Sequence, residues 1–135
     1  MRLRYILPPI LWACVISALS QLSNPPGRPS LPAASYGAHF VEFFVLGLLM
    51  ARAVRGRRGA SAPLMIWALA AGVTMLFGIA DELHQAFVPG RDPSVLDWLV
   101  DAAGAVAGVA FWALPGRTRA GGGRDSGGGI SRRPE

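Results

Sequence analysis

The sequence predicts an all-α, polytopic membrane protein of four transmembrane helices with both termini in the cytoplasm. Three observations lead there. The 135 residues are 52% hydrophobic with a mean hydropathy of +0.38, more apolar than an ordinary soluble domain of this length. Four apolar stretches, at about 5–22, 38–54, 63–80 and 95–114, approach or reach the ~17 to 25 residues that cross a hydrocarbon core. The cationic residues, all arginine, are distributed unevenly between them. Arg2 and Arg4 precede the first stretch, Arg52, Arg55, Arg57 and Arg58 follow the second, and Arg117, Arg119, Arg124, Arg132 and Arg133 follow the fourth; only Arg28 and Arg91 lie in the other two connections. That bias places both termini and the middle loop inside. The net charge of +5 is therefore an orientation signal, and no nucleic-acid partner is expected.

The first stretch starts behind M-R-L-R and contains Pro8, Pro9 and the lone Cys14. A cleaved secretory or lipoprotein signal competes with a retained helix here. Retention is favoured because the prolines interrupt the run, Trp12 is bulky for a processing site, and a retained helix gives an even bundle. One cysteine permits no intramolecular disulfide. S-N-P-P-G-R-P-S-L-P then breaks the helix with turn formers. The second stretch is marginal in length and ends in the short basic turn R-G-R-R-G-A-S-A. The third runs from Pro63, P-G-R-D-P turns the chain, and the fourth begins near Val95. Residues 1–115 thus form the membrane domain, while the Gly/Arg-rich tail 116–135 has little to bury and is expected to be a disordered cytoplasmic segment. No P-loop is present and no cofactor is expected.

The polar residues gather at three helix ends that this topology puts on the outer side. His39 and Glu42 share a face of the second helix; Asp81, His84 and Gln85 share one at the end of the third, with Glu82 beside them; Asp97 and Asp101 share one on the fourth. Asp101 lies about 9 Å along its helix from Val95, and a carboxylate near mid-membrane costs ~2.5 to 3.5 kcal/mol on insertion scales. Asp81 and Glu82 stand at a helix C-terminus, where the macrodipole disfavours negative charge by ~0.3 to 1 kcal/mol each. Simpler roles compete for some of these residues. Ser94 with Asp97 fits a capping box, Arg91 suits a snorkelling position, and His39 and Glu42 could be interfacial residues. Asp97, Asp101, Gly104 and Gly108 form one stripe, and G-A-V-A-G permits close helix approach that would turn both aspartates into the bundle.

D-E-L-H-Q-A-F-V-P-G-R-D-P-S-V-L-D-W-L-V-D-A-A-G, together with L-S-N-P-P and H-F-V-E-F-F-V-L-G-L-L in the same order, resembles the VanZ-like family of small bacterial membrane proteins. The resemblance implies a multi-pass protein of the bacterial cytoplasmic membrane. Its recurrent polar positions would be His39, Glu42, Asp81, Glu82, His84, Gln85, Arg91, Ser94, Asp97 and Asp101. Ser35 and Tyr36 stand where the family often has an Asp-Lys pair, and Phe43 where a Tyr is frequent. The family's namesake is associated with teicoplanin resistance, and the resemblance implies no enzymatic chemistry.

Three functions remain open on these residues. The first is an outer-leaflet site for an amphiphilic envelope ligand: a membrane lipid, a lipid-linked precursor or a lipoglycopeptide. Arg91 would meet an anionic headgroup there and the acids and histidines would meet hydroxyl or ammonium groups. The second is a hydrolase or transferase for a lipid-linked precursor, with Glu82, His84 or Asp81 as candidate catalytic groups. No compact metal motif exists and no metal is expected, His39, His84 and Asp81 being the weak candidates for one. The third, a small transporter, lacks a buried acid in the first helix and in the third before Asp81.

Overall fold

The computed structural model describes residues 3–21, 32–58, 62–91 and 93–113. They form four helices: α1 (Leu3–Ser20), α2 (Pro32–Arg58), α3 (Leu64–Gln85) and α4 (Val95–Ala113). There is no strand among the described residues, and all four helices contain an apolar segment long enough to cross a membrane, of 18 to 22 residues. At 1.5 Å per residue these span roughly 27 to 33 Å, the thickness of a hydrocarbon core. The Pro/Gly-rich first connection, Asp92 and the Gly/Arg tail lie outside the described residues.

Helix boundaries differ from the sequence expectation by more than two residues at three ends. α2 starts at Pro32 rather than near residue 38, since a proline at the first helical position lacks only an N–H that has no intrahelical acceptor there. α2 ends at Arg58 rather than near residue 54, so residues 55–58 of the expected basic turn are helical. α3 continues past Ala80 to Gln85, so Asp81, Glu82 and His84 belong to its last turns. α1 runs through Pro8 and Pro9, which forfeits the backbone donors that the carbonyls of Arg4 and Tyr5 would otherwise receive.

α2 and α4 form the closest pair, and they run parallel. A Cβ on Gly104 would stand 2.5 Å from the Phe40 carbonyl oxygen and 3.0 Å from the Phe44 nitrogen; one on Gly108 would run into the Phe44 carbonyl and the Leu48 nitrogen, and one on Gly47 into the backbone of Ala105. The Gly104-Gly108 pair therefore does what its spacing suggested: it lets backbones touch where lipid supplies no hydrophobic drive for helix association. Below it Ala51, Ala70 and Val109 are buried together, with Met50, Trp67 and Trp112 around them.

α3 rests against this pair through Gly78, whose absent side chain makes room for Phe43, Trp98 and Asp101. Trp98 Nε1 donates to the Met75 carbonyl at 3.2 Å. α1 packs more lightly. Ile16 is buried against Phe43 and Leu46 with Trp12 beside them, and Trp12 Nε1 donates to the Glu42 carbonyl at 2.9 Å. Leu7, Ile10, Leu11, Val15 and Leu19 are left exposed, as expected of a helix whose outer face meets lipid.

After α3, residues 86–91 are held by their own backbone hydrogen bonds. Arg91 N–H donates to the Val88 carbonyl at 3.1 Å, and Gly90 has φ 80°, the combination that Pro89-Gly90 supplies in a type II turn. It returns the chain so that the start of α4 lies beside the end of α3. The start of α2 lies there too, and so does the end of α1. This is the polar end of the bundle.

Candidate functional site

Three small networks occupy the polar end. The first joins α1 to α3. Asp81, only 4% exposed, accepts hydrogen bonds at Oδ2 from Ser20 Oγ at 2.7 Å and Gln85 Nε2 at 2.9 Å. The i, i+4 spacing of Asp81 and Gln85 puts them on one face, and Ser20 closes the network from the neighbouring helix. One turn away, His84 is exposed and accepts from the Gln21 amide. Arg91 Nη2 donates to the Leu19 carbonyl at 3.3 Å, placing a cation at the carbonyl end of α1, where the macrodipole favours it.

The second network joins α2 to α4. His39 Nδ1–H donates to Asp101 Oδ1 at 3.1 Å, with the His39 side chain 12% and that of Asp101 1% exposed. Gly104, one turn along from Asp101, holds α4 against the Phe40 carbonyl, so the close helix contact sets this pair's separation. Glu42 follows His39 at i+3, half-buried; its carboxylate lies in the field of His39, Asp101, Asp81 and Arg91.

The third network joins α3 to α4 and removes an electrostatic difficulty. Glu82 Oε2 accepts from the Ser94 backbone N–H at 2.8 Å. Ser94 Oγ in turn accepts from the Asp97 N–H at 3.2 Å. Ser94 is thus the N-cap of α4, as its spacing suggested. The reciprocal half of the box is not made by Asp97. It is made by Glu82 from another helix, so the carboxylate that lies unfavourably at the C-terminus of α3 lies favourably at the N-terminus of α4.

Among the described residues, two buried carboxylate oxygens have no hydrogen-bond partner: Glu82 Oε1 and Asp101 Oδ2. Leaving a buried acceptor unmet costs roughly 1 to 3 kcal/mol, and more for a charged group. Beside Glu82 a cleft of about 360 Å³ runs between the end of α3 and the start of α4. Its walls are Ile79, Leu83, Ala86, Pro93, Val95 and Trp98, and its polar residues are Glu82 and Ser94.

The residues expected from the sequence thus fall into distinct groups. His39 pairs with Asp101, and Glu82 is close to both. His84 and Asp81, the other members of the weak metal set, are engaged separately with α1 through Gln21 and Ser20. Sequence reasoning overlooked Ser20, Gln21 and Trp98. The available signal was the polar S-Q at the outer end of the first apolar run, on the same side as the other polar helix ends.

Comparison with known proteins adds one finding. Residues 10–115 match the family model described as VanZ/LLP1. No curated protein and no solved structure matches the chain.

Proposed function

This chain belongs to the VanZ/LLP1 family, and from that premise we propose that it binds an amphiphilic envelope molecule at the outer leaflet of the bacterial cytoplasmic membrane. The arginine bias supports an orientation with both termini inside and the polar end outside. The observation that carries the proposal is the cleft beside Glu82: two polar residues in a trough otherwise walled by Ile79, Leu83, Val95 and Trp98. A ligand with an apolar chain and a hydrogen-bond-donating headgroup suits that division. The chain lies along the aliphatic wall, and a hydroxyl, amide or ammonium group meets the polar edge of the cleft at Glu82 and Ser94. A membrane lipid, a lipid-linked envelope precursor and a lipoglycopeptide such as teicoplanin all have this character. Binding of the last two would lower teicoplanin susceptibility by capture or by altering its target.

The test uses a deletion strain complemented at equal expression with the wild type or with Ala86→Trp, which fills the cleft and leaves the polar networks in place. Teicoplanin susceptibility, the profile of lipid-linked precursors and lipids co-purifying with the protein are measured. Ala86→Trp is expected to match the deletion and to lose the co-purifying amphiphile. A variant identical to the wild type in all three measurements would sink the proposal.

A second reading is favoured by the His39–Asp101 hydrogen bond at 3.1 Å, with Glu82 close by. These are the parts of an acid–base site, and they suit a hydrolase or transferase acting on a lipid-linked precursor. Turnover of undecaprenyl-phosphate compounds by purified protein decides for it; binding without turnover decides against it.

A further inference from the structure

His39, Glu82 and Asp101 come from α2, α3 and α4, and each contributes one potential ligand atom to a set lying within 4.8 Å of one another. Asp101 is 0% and Glu82 8% exposed. Each carboxylate has one oxygen engaged, Asp101 Oδ1 by His39 and Glu82 Oε2 by the Ser94 N–H. The other oxygen of each is buried with no partner among the described residues. One cation between them would satisfy both oxygens.

We propose that His39, Glu82 and Asp101 bind a divalent transition-metal ion of the Mn²⁺ or Zn²⁺ class. The donor set selects the class: an imidazole nitrogen disfavours Ca²⁺ and Mg²⁺, which take oxygen ligands, and the absence of sulfur disfavours Cu⁺. Bonds of about 2.0 to 2.2 Å place tetrahedral ligand atoms about 3.3 to 3.6 Å apart, so a pair at the 4.8 Å limit closes by about 1.2 to 1.5 Å. Asp101 is the fixed member, held by the close contact between α2 and α4 at Gly104. His39 and Glu82 reach it from the first turns of α2's membrane segment and the last turns of α3, and their longer side chains supply the adjustment. The ion also gives three helices a common anchor at depth in the membrane, where an uncompensated carboxylate is costly. Three protein ligands leave a position for water or for an anionic oxygen of a bound molecule. Water alone completes the shell, so the metal site stands or falls separately from amphiphile binding.

The full-length protein is purified in detergent, stripped with chelator and dialysed against Mn²⁺ or Zn²⁺, with Mg²⁺ and Ca²⁺ as controls. Bound metal is counted by mass spectrometry, and Mn²⁺ is examined by pulsed electron paramagnetic resonance. About one Mn²⁺ or Zn²⁺ per chain is expected, with a nitrogen coupling from a single imidazole and a rise in thermal stability that Mg²⁺ does not give. Glu82→Gln and Asp101→Asn, which keep shape and remove charge, are each expected to weaken affinity at least tenfold. Cys14→Ser removes the lone exposed thiol and is expected to bind as the wild type does. Substoichiometric metal in the wild type, or equal binding by Glu82→Gln and Asp101→Asn, would overturn the site. If both variants fail to fold, the wild-type stoichiometry and nitrogen coupling decide alone. Ala86→Trp separates the two proposals, because it blocks the cleft and keeps all three metal ligands.

Discussion

Gly104→Ala tests whether backbone contact between α2 and α4 sets the geometry of the buried pair above it. The added Cβ would stand 2.5 Å from the Phe40 carbonyl oxygen, and ordinary contact begins at 3.4 Å. The opposing atoms are backbone and cannot rotate aside, so the helices must separate locally by about 0.9 Å. His39 and Asp101 lie one turn nearer the polar end on the same two helices. Added to their 3.1 Å separation, that shift leaves about 4.0 Å, beyond hydrogen-bond range. Overpacking of this kind costs about 1 to 3 kcal/mol, and the loosened charge pair adds to it. Gly72→Ala is the control, since a Cβ there meets nothing within 4 Å, and replacing a mid-helix glycine gains roughly 0.5 to 1 kcal/mol. Unfolding of both variants and the wild type is followed by circular dichroism in a denaturing-detergent titration. The expected order of stability is Gly72→Ala, wild type, Gly104→Ala. A Gly104→Ala protein as stable as Gly72→Ala would refute a close-contact origin for the geometry.

Ser20→Ala removes a 2.7 Å hydrogen bond to the buried Asp81 carboxylate; a bond to a charged group is worth about 1.5 to 3 kcal/mol, and faster hydrogen exchange over α1 than in the wild type is expected. Its absence would mean that the Ser20–Asp81 bond does not hold α1 in place. For orientation, Phe87→Cys in a Cys14→Ser background, at a position 85% exposed in the α3–α4 turn, is expected to react with a membrane-impermeant maleimide on intact cells. Ala62→Cys, at the other end of α3, is expected to react only after permeabilisation; the reverse pattern would invert the assigned topology.

Several parts of the site were legible because they depend on one helix at a time. Three- and four-residue spacings put Asp81 with Gln85 and Asp97 with Asp101 on common faces, and S-x-x-D marked Ser94 as the start of α4. Gly104 and Gly108 marked a surface where a backbone could approach. The end of α3 was harder to bound, because the polarity of Asp81 to Gln85 interrupts the apolar run that otherwise announces a span. Ser20 and Gln21 were passed over because Ser and Gln at a helix end are ordinary, and nothing local to α1 shows which helix lies beside them.

The sequence by itself determined four membrane-length helices, a polar group at one end and a backbone-thin stripe on α4. Hydropathy, length and periodicity are properties of a single segment, so no partner is needed to state them. Only the tertiary structure decided which polar residues meet: Asp101 with His39, Glu82 with the amide of Ser94, Asp81 with Ser20. Those pairings depend on the rotation and offset of one helix against another. Lipid is indifferent to both, and close contact fixes them, chiefly at Gly104 and Gly108 on α4 and Gly78 on α3.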